Sequence, residues 1–345
     1  MMLTRVAMRE NRALPRQRVP DGSALPSPPP DAAMRFNKLD LNLLVALDAL
    51  LKERSVKQAA EEIHLSPSAM SNALARLREY FDDELLVQIG RRMELTSRAV
   101  YLQDAVRDVL LRIDSSIATQ PAFEPQRSDR CFRIFASDFT QMVLAPIMLH
   151  LSAKLGATVS FEFLPQVTQP HRELERGEAD LLIIPSVFTS TEHPREILFQ
   201  EQFVCMVWRD SPLARGELSF DRYVEAEHVI MQPTGGRADA FEAAFLKRRG
   251  IARSIAVTTY SFATLPALVT GTSRIATVHS RIARRLVRAW PLEIRPMPMP
   301  FDPMEEAMQW HRFRSADPGL VWLRDLLSEA ARRIDELGLP GAGPD

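Results

Sequence analysis

Cysteine is scarce in this sequence: Cys131 and Cys205 are the two cysteines among 345 residues. Two cysteines are too few for a disulfide framework. Both lie in strand-like apolar runs, CFRIF and FVCMVW, which predicts buried, unreactive thiols rather than redox chemistry. The seven histidines show no spacing typical of metal ligands, and we therefore predict neither a metal site nor a cofactor.

Strong net charge and long apolar runs are also missing. A formal net charge of -1 gives no overall basic field, so any binding of nucleic acid must rest on local patches. No apolar run approaches the ~20 residues of a membrane span, and the N-terminus lacks the apolar core of a secretory signal. These absences predict a soluble cytoplasmic protein with no membrane partner.

Patterns typical of catalysis are absent as well. The sequence shows no nucleophile–base pair, no Gly-rich phosphate loop and no metal cluster. We therefore predict no catalytic residues and no enzyme activity.

The first 33 residues differ in composition from the rest of the chain. They are rich in Pro, Arg and Ser, include SPPP and show little apolar periodicity. This composition predicts a disordered N-terminal extension over residues 1–33. Met34 opens the helix-forming sequence MRFNKLDLNLLVALDALLKERS and is a candidate for the natural start.

The rest of the chain is organised around AAEEIHLSPSAMSNALARLR, Ala59 to Arg78. This stretch predicts two short helices joined by a tight turn at HLS. Ser66 suits an N-cap, and Pro67 suits the first helical position, where its missing N–H costs nothing. Ser55 with Gln58 gives a capping-box pattern at the start of the earlier helix.

The second of these helices has one apolar and one polar face. The apolar face, at helical spacing, contains Met70, Ala73, Leu74, Leu77 and Phe81. Ser and Asn on the polar face suit base edges in the major groove, and Arg suits phosphate or guanine. The candidate DNA-binding residues are Ser66, Pro67, Ser68, Ala69, Ser71, Asn72, Arg76 and Arg78. A solvated polar face is the alternative, but the preceding helix favours a helix-turn-helix.

A short hairpin comes after the second helix. Two strand-like pieces, LLVQI and MEL, flank a turn at Gly90. A basic hairpin in this position is typical of a wing, whose Arg91 and Arg92 would reach phosphates or the minor groove. A solvated turn is the alternative. With a first helix from Leu41 to Glu53, residues 34–95 are predicted to form a winged helix-turn-helix domain.

Residues 96–120 predict one long helix, which Thr96 can cap. Its apolar residues have near-heptad spacing: Leu102, Val106, Val109, Leu110, Ile113 and Ile117. Because this seam has no partner inside the DNA-binding unit, we predict that the linker helix pairs with a second chain. Packing against the C-terminal part of the same chain is the alternative.

Strands and helices alternate over residues 121–345, which predicts parallel sheets with crossover helices. The strands fall into two groups, and the chain crosses between them near 195–202 and 293–302. The predicted fold is therefore multidomain. A mostly α-helical winged helix-turn-helix with a small β wing is followed by a long linker helix and a two-lobed α/β effector domain.

Ligands of such sheets bind beyond the carboxyl ends of the strands, here in a cleft between the lobes. Aromatic and small polar residues at these ends suit a flat aromatic ligand, and a helix start suits a carboxylate or phenolate. The candidate effector-binding residues are Ser137, Asp138, Phe139, Thr140, Pro185, Ser186, Met231, Gln232, Tyr260, Ser261 and Phe262. Plain packing or helix capping is the alternative for each. For His279 and His311, a surface or core position is the better interpretation.

From about Met34 to Ile334 the sequence resembles the LysR-type transcriptional regulators. The similarity is long and specific over LDLNLLVALDALLKERSVKQAAEEIHLSPSAMSNALARLREYFDDELLVQIGRRMELTSRA, and it includes the pair Leu95-Thr96. The recognition-helix residues that the resemblance carries over are Ser66, Pro67, Ser68, Ala69, Ser71 and Arg76. It implies a winged helix-turn-helix and an effector domain similar to periplasmic binding proteins.

Within that family the chain looks most like the nodulation regulators of the NodD type. The similar segments include FRIFASDF, ELERGEADLLIIP, TSRIATVHSRIARRL and EAMQWHRFRSADPGLVWLRDLL. The naphthalene and salicylate regulators share much of this pattern. The resemblance implies a homodimer or homotetramer on double-stranded promoter DNA that contacts RNA polymerase and responds to a small aromatic inducer, flavonoid- or salicylate-like.

The sequence leaves alternatives open. Within the family, the chain could control other aromatic-compound genes or unrelated metabolic genes, with a different inducer or none. The two-lobed half alone also resembles exported solute-binding proteins, although the helix-turn-helix argues against that function.

Overall fold

A computed structural model describes residues 39–90, 92–117, 122–165, 169–232 and 240–335. The predicted extension, residues 1–33, and Arg91 of the predicted wing lie outside the described residues. Within the described part, no helix combines the length and the apolarity needed to cross a bilayer.

The N-terminal unit contains three helices, a hairpin and a long fourth helix. These elements are α1 (Leu41–Glu53), α2 (Val56–Glu62), α3 (Pro67–Phe81), β1 (Leu86–Ile89), β2 (Arg92–Leu95) and α4 (Ser97–Ile117). The side chains of Asp40, Ser55 and Ser66 cap α1, α2 and α3, each accepting a hydrogen bond from a backbone N–H of the first turn. The caps predicted at Ser55 and Ser66 are confirmed, and Asp40 adds a third.

Apolar residues of these helices form one core. Leu47 of α1 and Met70 and Leu77 of α3 are fully buried in it. The turn between α2 and α3 closes when the Leu65 N–H donates to the Ala60 carbonyl at 2.8 Å. His64, just before it, adopts a left-handed conformation with φ of 56°, which reverses the chain so that α3 crosses α2.

The C-terminal part forms two lobes, each built on a five-stranded sheet. Lobe I contains β3 (Cys131–Ala136), β4 (Ser160–Leu164), β5 (Leu181–Pro185), β6 (Arg195–Glu201) and β12 (Met304–Trp310), in the order β4-β3-β5-β12-β6. Its helices are α5 (Asp138–Val143), α6 (Ala145–Lys154), α7 (Pro170–Glu175) and α12 (Pro318–Arg332). The two-lobed fold is as predicted.

Lobe II is formed by the chain between β6 and β12. Its strands are β7 (Phe203–Trp208), β8 (Glu227–Met231), β9 (Ser254–Thr259), β10 (Ile275–His279) and β11 (Leu292–Arg295), in the order β11-β7-β10-β8-β9. Its helices are α8 (Phe220–Glu225), α9 (Phe241–Arg248), α10 (Leu265–Val269) and α11 (Ser280–Ala289). The first crossing between lobes is the single residue Gln202, between β6 and β7.

The prediction of parallel sheets is correct for only part of each sheet. In lobe I, β3, β4 and β5 are parallel, but β12 runs antiparallel to β5 and β6. In lobe II, β8 is parallel to β9 and β10, but β7 runs antiparallel to β10 and β11. The physical reason is the crossing: each strand that carries the chain between lobes enters its sheet directly, without the helical crossover that a parallel strand requires.

The prediction that the seam of α4 has no partner inside the DNA-binding unit is wrong, because Leu102, Val106 and Leu110 pack in the same core as α1. One side packs against α1 and lobe I within the same chain, and Val106 is buried there. The other side carries exposed apolar residues, Val100, Tyr101 and Val109. Val109 therefore lies away from the seam that contains Val106.

Two smaller expectations have clear outcomes. Cys205 is buried as predicted, but Cys131 is exposed, because it is the first residue of β3 and lies at the rim of the sheet. His279 and His311 are both core residues, 5% and 1% exposed.

Candidate nucleic-acid interface and ligand cleft

The polar face of α3 is open to solvent. Five of the predicted residues at its start are exposed, and Ala69 is half-buried; the exposed five are Ser66, Pro67, Ser68, Ser71 and Asn72. The Ser66 hydroxyl accepts from the Ala69 N–H at 3.1 Å, and the Ser71 hydroxyl donates to the Pro67 carbonyl at 2.9 Å. The short side chains thus stay close to the helix, which lets its backbone approach base edges.

The two arginines of α3 differ in their surroundings. Arg76 is exposed, and its Nη2 lies 3.3 Å from a carboxylate oxygen of Asp40. Arg78 instead donates to two backbone carbonyls that precede and begin the hairpin, those of Glu84 at 2.8 Å and Leu86 at 2.9 Å. Arg76 can therefore exchange a weak surface ion pair for a phosphate, whereas Arg78 holds the hairpin against α3.

The hairpin itself is short and exposed at its tip. Residue pairs from Leu86–Leu95 to Ile89–Arg92 form the β1–β2 ladder, and Gly90 takes a left-handed φ of 64° at the turn. Arg92 is exposed. Thr96 connects this wing to the linker helix, because its hydroxyl donates to Asp83 at 2.6 Å and accepts from the Ala99 N–H at 3.1 Å.

The predicted effector residues of α5 contact predicted residues of lobe II. The Asp138 carboxylate accepts from the Ser261 hydroxyl at 2.7 Å and from the Ala263 N–H at 3.2 Å. The first N–H groups of α5 are already bonded, since Ser137 Oγ accepts from the Thr140 N–H at 3.2 Å. These bonds close the cleft at this point and leave the helix start little capacity for an anion.

An aromatic cluster lies beside these hydrogen bonds. The ring of Phe139 in lobe I stacks on His279 of lobe II at 3.8 Å between centroids, with planes 12° apart. Phe262 meets the same imidazole edge-on at 4.6 Å. Burial lowers the pKa of His279 to about 3, so the ring is neutral and acts as one more aromatic surface between the lobes.

Glu306 of β12 is a site residue that the sequence predictions missed. It is 1% exposed, and one carboxyl oxygen accepts from the Thr140 hydroxyl at 2.8 Å. Within the described part of the chain, the other oxygen, Oε2, has no hydrogen-bond partner. Burial raises the pKa of Glu306 to about 8, so the group is protonated at neutral pH. A sequence signal existed: Glu306 alternates with the exposed Glu305 in a strand that is otherwise buried.

The remaining candidates are spread more widely. Ser186 donates to the Glu305 carboxylate at 3.1 Å, next to the half-buried Pro185. Met231 and Gln232 line a pocket of about 490 Å³ between α9 and the edge of the lobe II sheet. Tyr260 is 75% exposed. The structure thus brings the α5 residues together with Ser261 and Phe262, whereas Met231 and Gln232 belong to the pocket beside α9.

Over the described ranges, no group of three or more His, Cys, Asp and Glu side chains is placed to hold a metal ion.

Two family models cover the chain. The bacterial regulatory helix-turn-helix protein model of the lysR family matches residues 41–100, and the LysR substrate binding domain model matches residues 127–332. Nodulation protein D 1 of Rhizobium tropici is 43% identical over 310 residues, covering 90% of this chain and 99% of its own. Nodulation protein D 3 of Mesorhizobium japonicum is 40% identical over 301 residues, covering 87% of this chain and all of its own.

Solved structures agree with the fold. A probable transcriptional regulator from Pseudomonas aeruginosa superposes with a TM-score of 0.59 at 27% identity, covering 85% of this chain and 97% of its own. A full-length OxyR variant from the same organism gives a TM-score of 0.69 over 85% of this chain and 95% of its own, at 16% identity, and supports the fold alone. With both family models matched in order and relatives at about 40% identity along most of its length, the chain belongs to the LysR family of DNA-binding transcriptional regulators.

Proposed function

We propose that this regulator binds double-stranded promoter DNA in the cytoplasm as a homodimer or homotetramer, contacts RNA polymerase there, and has no enzyme activity of its own. The N-terminus of α3 enters the major groove, and the wing lies on the adjacent backbone. The exposed apolar residues of α4, Val100, Tyr101 and Val109, support pairing of two linker helices, because isolated surface helices rarely expose such a group.

The observation that carries the DNA-binding proposal is the division of α3 into two faces. Met70, Leu74 and Leu77 are buried, whereas Ser68, Ser71 and Asn72 are exposed. The buried face fixes the helix rigidly, so the exposed face can be presented to bases without loss of order on binding.

We infer further that the inducer is a small aromatic compound bound between the lobes. The stacked rings of Phe139, His279 and Phe262 supply flat apolar surface. The polar groups next to Phe139 and Phe262 in the chain are engaged by carboxyl groups: Asp138 bonds to Ser261, and Glu306 bonds to Thr140. The Asp138 carboxylate can accept a hydrogen bond from a phenolic hydroxyl and repels a ligand carboxylate, and the neutral Glu306 offers no positive charge to attract one. A flavonoid-like phenol therefore fits this surface better than a salicylate-like acid.

Arg76→Ala tests the DNA-binding surface. Loss of one phosphate contact should weaken binding to promoter DNA and reduce the slope of log K against log salt by roughly 0.9. Titrations of labelled duplex at several salt concentrations measure both values. Lys57→Ala, which removes an exposed lysine from α2, is the matched control. An unchanged slope for Arg76→Ala would remove this residue from the interface.

A thermal-shift screen tests the inducer. Flavonoids and hydroxybenzoates are added separately, since a ligand that binds the folded state raises apparent stability by mass action. We expect shifts with phenols and smaller or no shifts with acids. Shifts with neither class would favour a LysR regulator with a different inducer or none.

A further inference from the structure

The linker helix α4 is docked onto lobe I by paired charges. Asp104 lies 3.5 Å from Arg176, at the end of α7. Asp108 binds two residues at once: His311 Nε2 at 2.9 Å and Arg312 Nη2 at 3.0 Å. A single linker carboxylate therefore connects to the segment directly after β12.

The hydrogen bond between His311 and Asp108 has a direction that is set by the partner of the other ring nitrogen, Nδ1. The Phe313 backbone N–H donates to His311 Nδ1 at 3.3 Å, so the proton of the neutral ring is on Nε2. That nitrogen donates to Asp108. Burial lowers the pKa of His311, against the opposing influence of Asp108, and the ring stays neutral at pH 7. Asp108 thus accepts one hydrogen bond from a neutral donor, His311, and one from a charged donor, Arg312.

The same strand reaches the ligand cleft at its other end. Glu306 faces Pro185 of β5 and Phe199 of β6 in the ladder and accepts from Thr140 of α5. His311 lies five positions later, about 16 Å along an extended chain. β12 lies between β5 and β6 inside the sheet. Its register against β6 shifts between Glu306 and Ala307, but its ladder with β5 is continuous from Glu306 to Trp310, so a displacement at Glu306 is carried along β5 rather than absorbed by a loop.

The linker helix is also connected to the DNA-binding unit on its far side. Arg107, one residue before Asp108, binds Asp48 of α1 at 2.7 Å. Gln103 donates to the Leu51 carbonyl of α1 at 3.0 Å. Over little more than one turn, α4 therefore contacts lobe I through Asp108 and the DNA-binding unit through Arg107 and Gln103.

We propose that Asp108, together with His311 and Arg312, is the contact through which the state of the ligand cleft, carried by β12, sets the position of the linker helix and hence of the DNA-reading helices. Asp108 is a positioning residue, since it touches neither ligand nor DNA. The inference rests on the proposed function of the cleft as the inducer site.

The test compares Asp108→Ala with Asp221→Ala, which removes the same charge from an exposed position of α8 in lobe II. Full-length proteins are bound to a duplex selected from a random pool by the wild type. The factor by which a phenolic ligand from the thermal-shift panel changes DNA affinity is then measured for each protein. For the wild type we expect at least roughly fivefold. For Asp108→Ala the factor should fall below about twofold, with the ligand Kd of the DNA-free protein unchanged, whereas Asp221→Ala should keep the wild-type factor.

A second readout needs no ligand. Asp108→Ala should alter the footprint of the free regulator on the same duplex, in extent or in bending, and Asp221→Ala should not. Arg312→Ala should give the same altered footprint. The double variant should add little, because both substitutions remove the contact between Asp108 and Arg312. Equal coupling and equal footprints for Asp108→Ala and wild type would overturn the inference. If no phenol changes DNA binding by the wild type, the inducer proposal fails, and the footprints alone decide the role of Asp108.

Discussion

The proposed DNA-binding face and the proposed ligand cleft of this regulator differ in how their side chains are engaged. Ser71 and Asn72 on α3 are exposed, the Ser71 hydroxyl bonds within its own helix, and both are ready to meet a partner. Asp138 and Phe139 in the cleft already contact their counterparts Ser261 and His279 across the lobes. DNA can therefore bind a preformed surface, whereas a ligand must first replace contacts that the protein makes with itself.

Because of this difference, tight packing has a different role at each of the two sites. On α3, buried residues keep the exposed face in one conformation. In the cleft, a ligand must displace contacts between the two lobes, such as Asp138–Ser261. The free energy of these contacts opposes ligand binding, and their loss changes how the lobes are held together.

The largest expected effect is on the free energy of unfolding, and it should differ between substitutions on the two faces of α3. Met70 is 0% exposed, and Met70→Ala should lower the free energy of unfolding by about 2–5 kcal/mol through lost burial and a cavity. Ser71→Ala, one residue further along and exposed, should change it by less than about 0.5 kcal/mol. Denaturant unfolding of the two proteins measures this. Similar values would show that α3 is not anchored by its apolar face.

Next in size is the loss of DNA affinity when a negative charge is placed on the polar face. Ser71→Asp should weaken binding to the selected duplex by roughly 100-fold or more, since a carboxylate near phosphates costs several kcal/mol. Gln200→Asp makes the same charge change at an exposed position of β6 and should bind normally. Gel-shift titrations distinguish them, and equal affinities would exclude α3 from the groove.

Protonation of Glu306 should appear in the pH dependence of stability. Its pKa is about 8 in the folded protein and 4.5 is its ordinary value, so between these values the folded state binds a proton that the unfolded state does not. The stability it contributes is present below pH 4.5 and is lost as pH rises toward 8.

Glu306→Gln keeps the shape and the acceptor for Thr140 but does not titrate. Relative to the wild type it should gain about 2 kcal/mol between about pH 5 and pH 8, because structural relaxation reduces the full linkage value. Unfolding curves at several pH values across this range give the difference. A difference that is constant with pH would mean that Glu306 is ionised in the folded protein.

The smallest effect concerns the contact that closes the cleft. Ser261→Ala removes the hydroxyl bound to Asp138, and the partly exposed bond contributes about 1 kcal/mol. If a ligand must break this contact, its affinity should rise roughly fivefold. Calorimetry with a phenol from the panel measures the change, with Ser254→Ala in lobe II as control. Affinity that falls instead would place the Ser261 hydroxyl on the ligand.

Most of the fold could be predicted because local signals and tertiary packing agree in it. Ser66 and Pro67 start α3 as their chemistry requires, and the buried run of β5 reads as a strand covered on both faces. The antiparallel direction of β12 could not be predicted, because it depends on where a distant part of the chain returns. The apolar pattern of a strand is the same in either direction.

The sites show the same limit. Exposure of Ser68 and Ser71 follows from helical periodicity, so the exposed polar face of α3 could be located from sequence. The pairing of Asp138 with Ser261, and of Asp108 with His311, joins residues more than a hundred positions apart. No local pattern predicts such pairs. Arg78 illustrates the point within one helix: its spacing matched the polar face, yet its guanidinium is bound to backbone carbonyls of the hairpin.

The central claim is that the exposed face of α3 recognises specific base sequences in DNA. The most direct measurement is the ratio of Kd values for a random duplex and for the duplex selected by the wild type, at about 0.15 M salt, with and without the phenolic panel. We predict a ratio of roughly 10³ or more, reduced toward one in Ser71→Asp. A ratio near one for the wild type under every condition would contradict the claim.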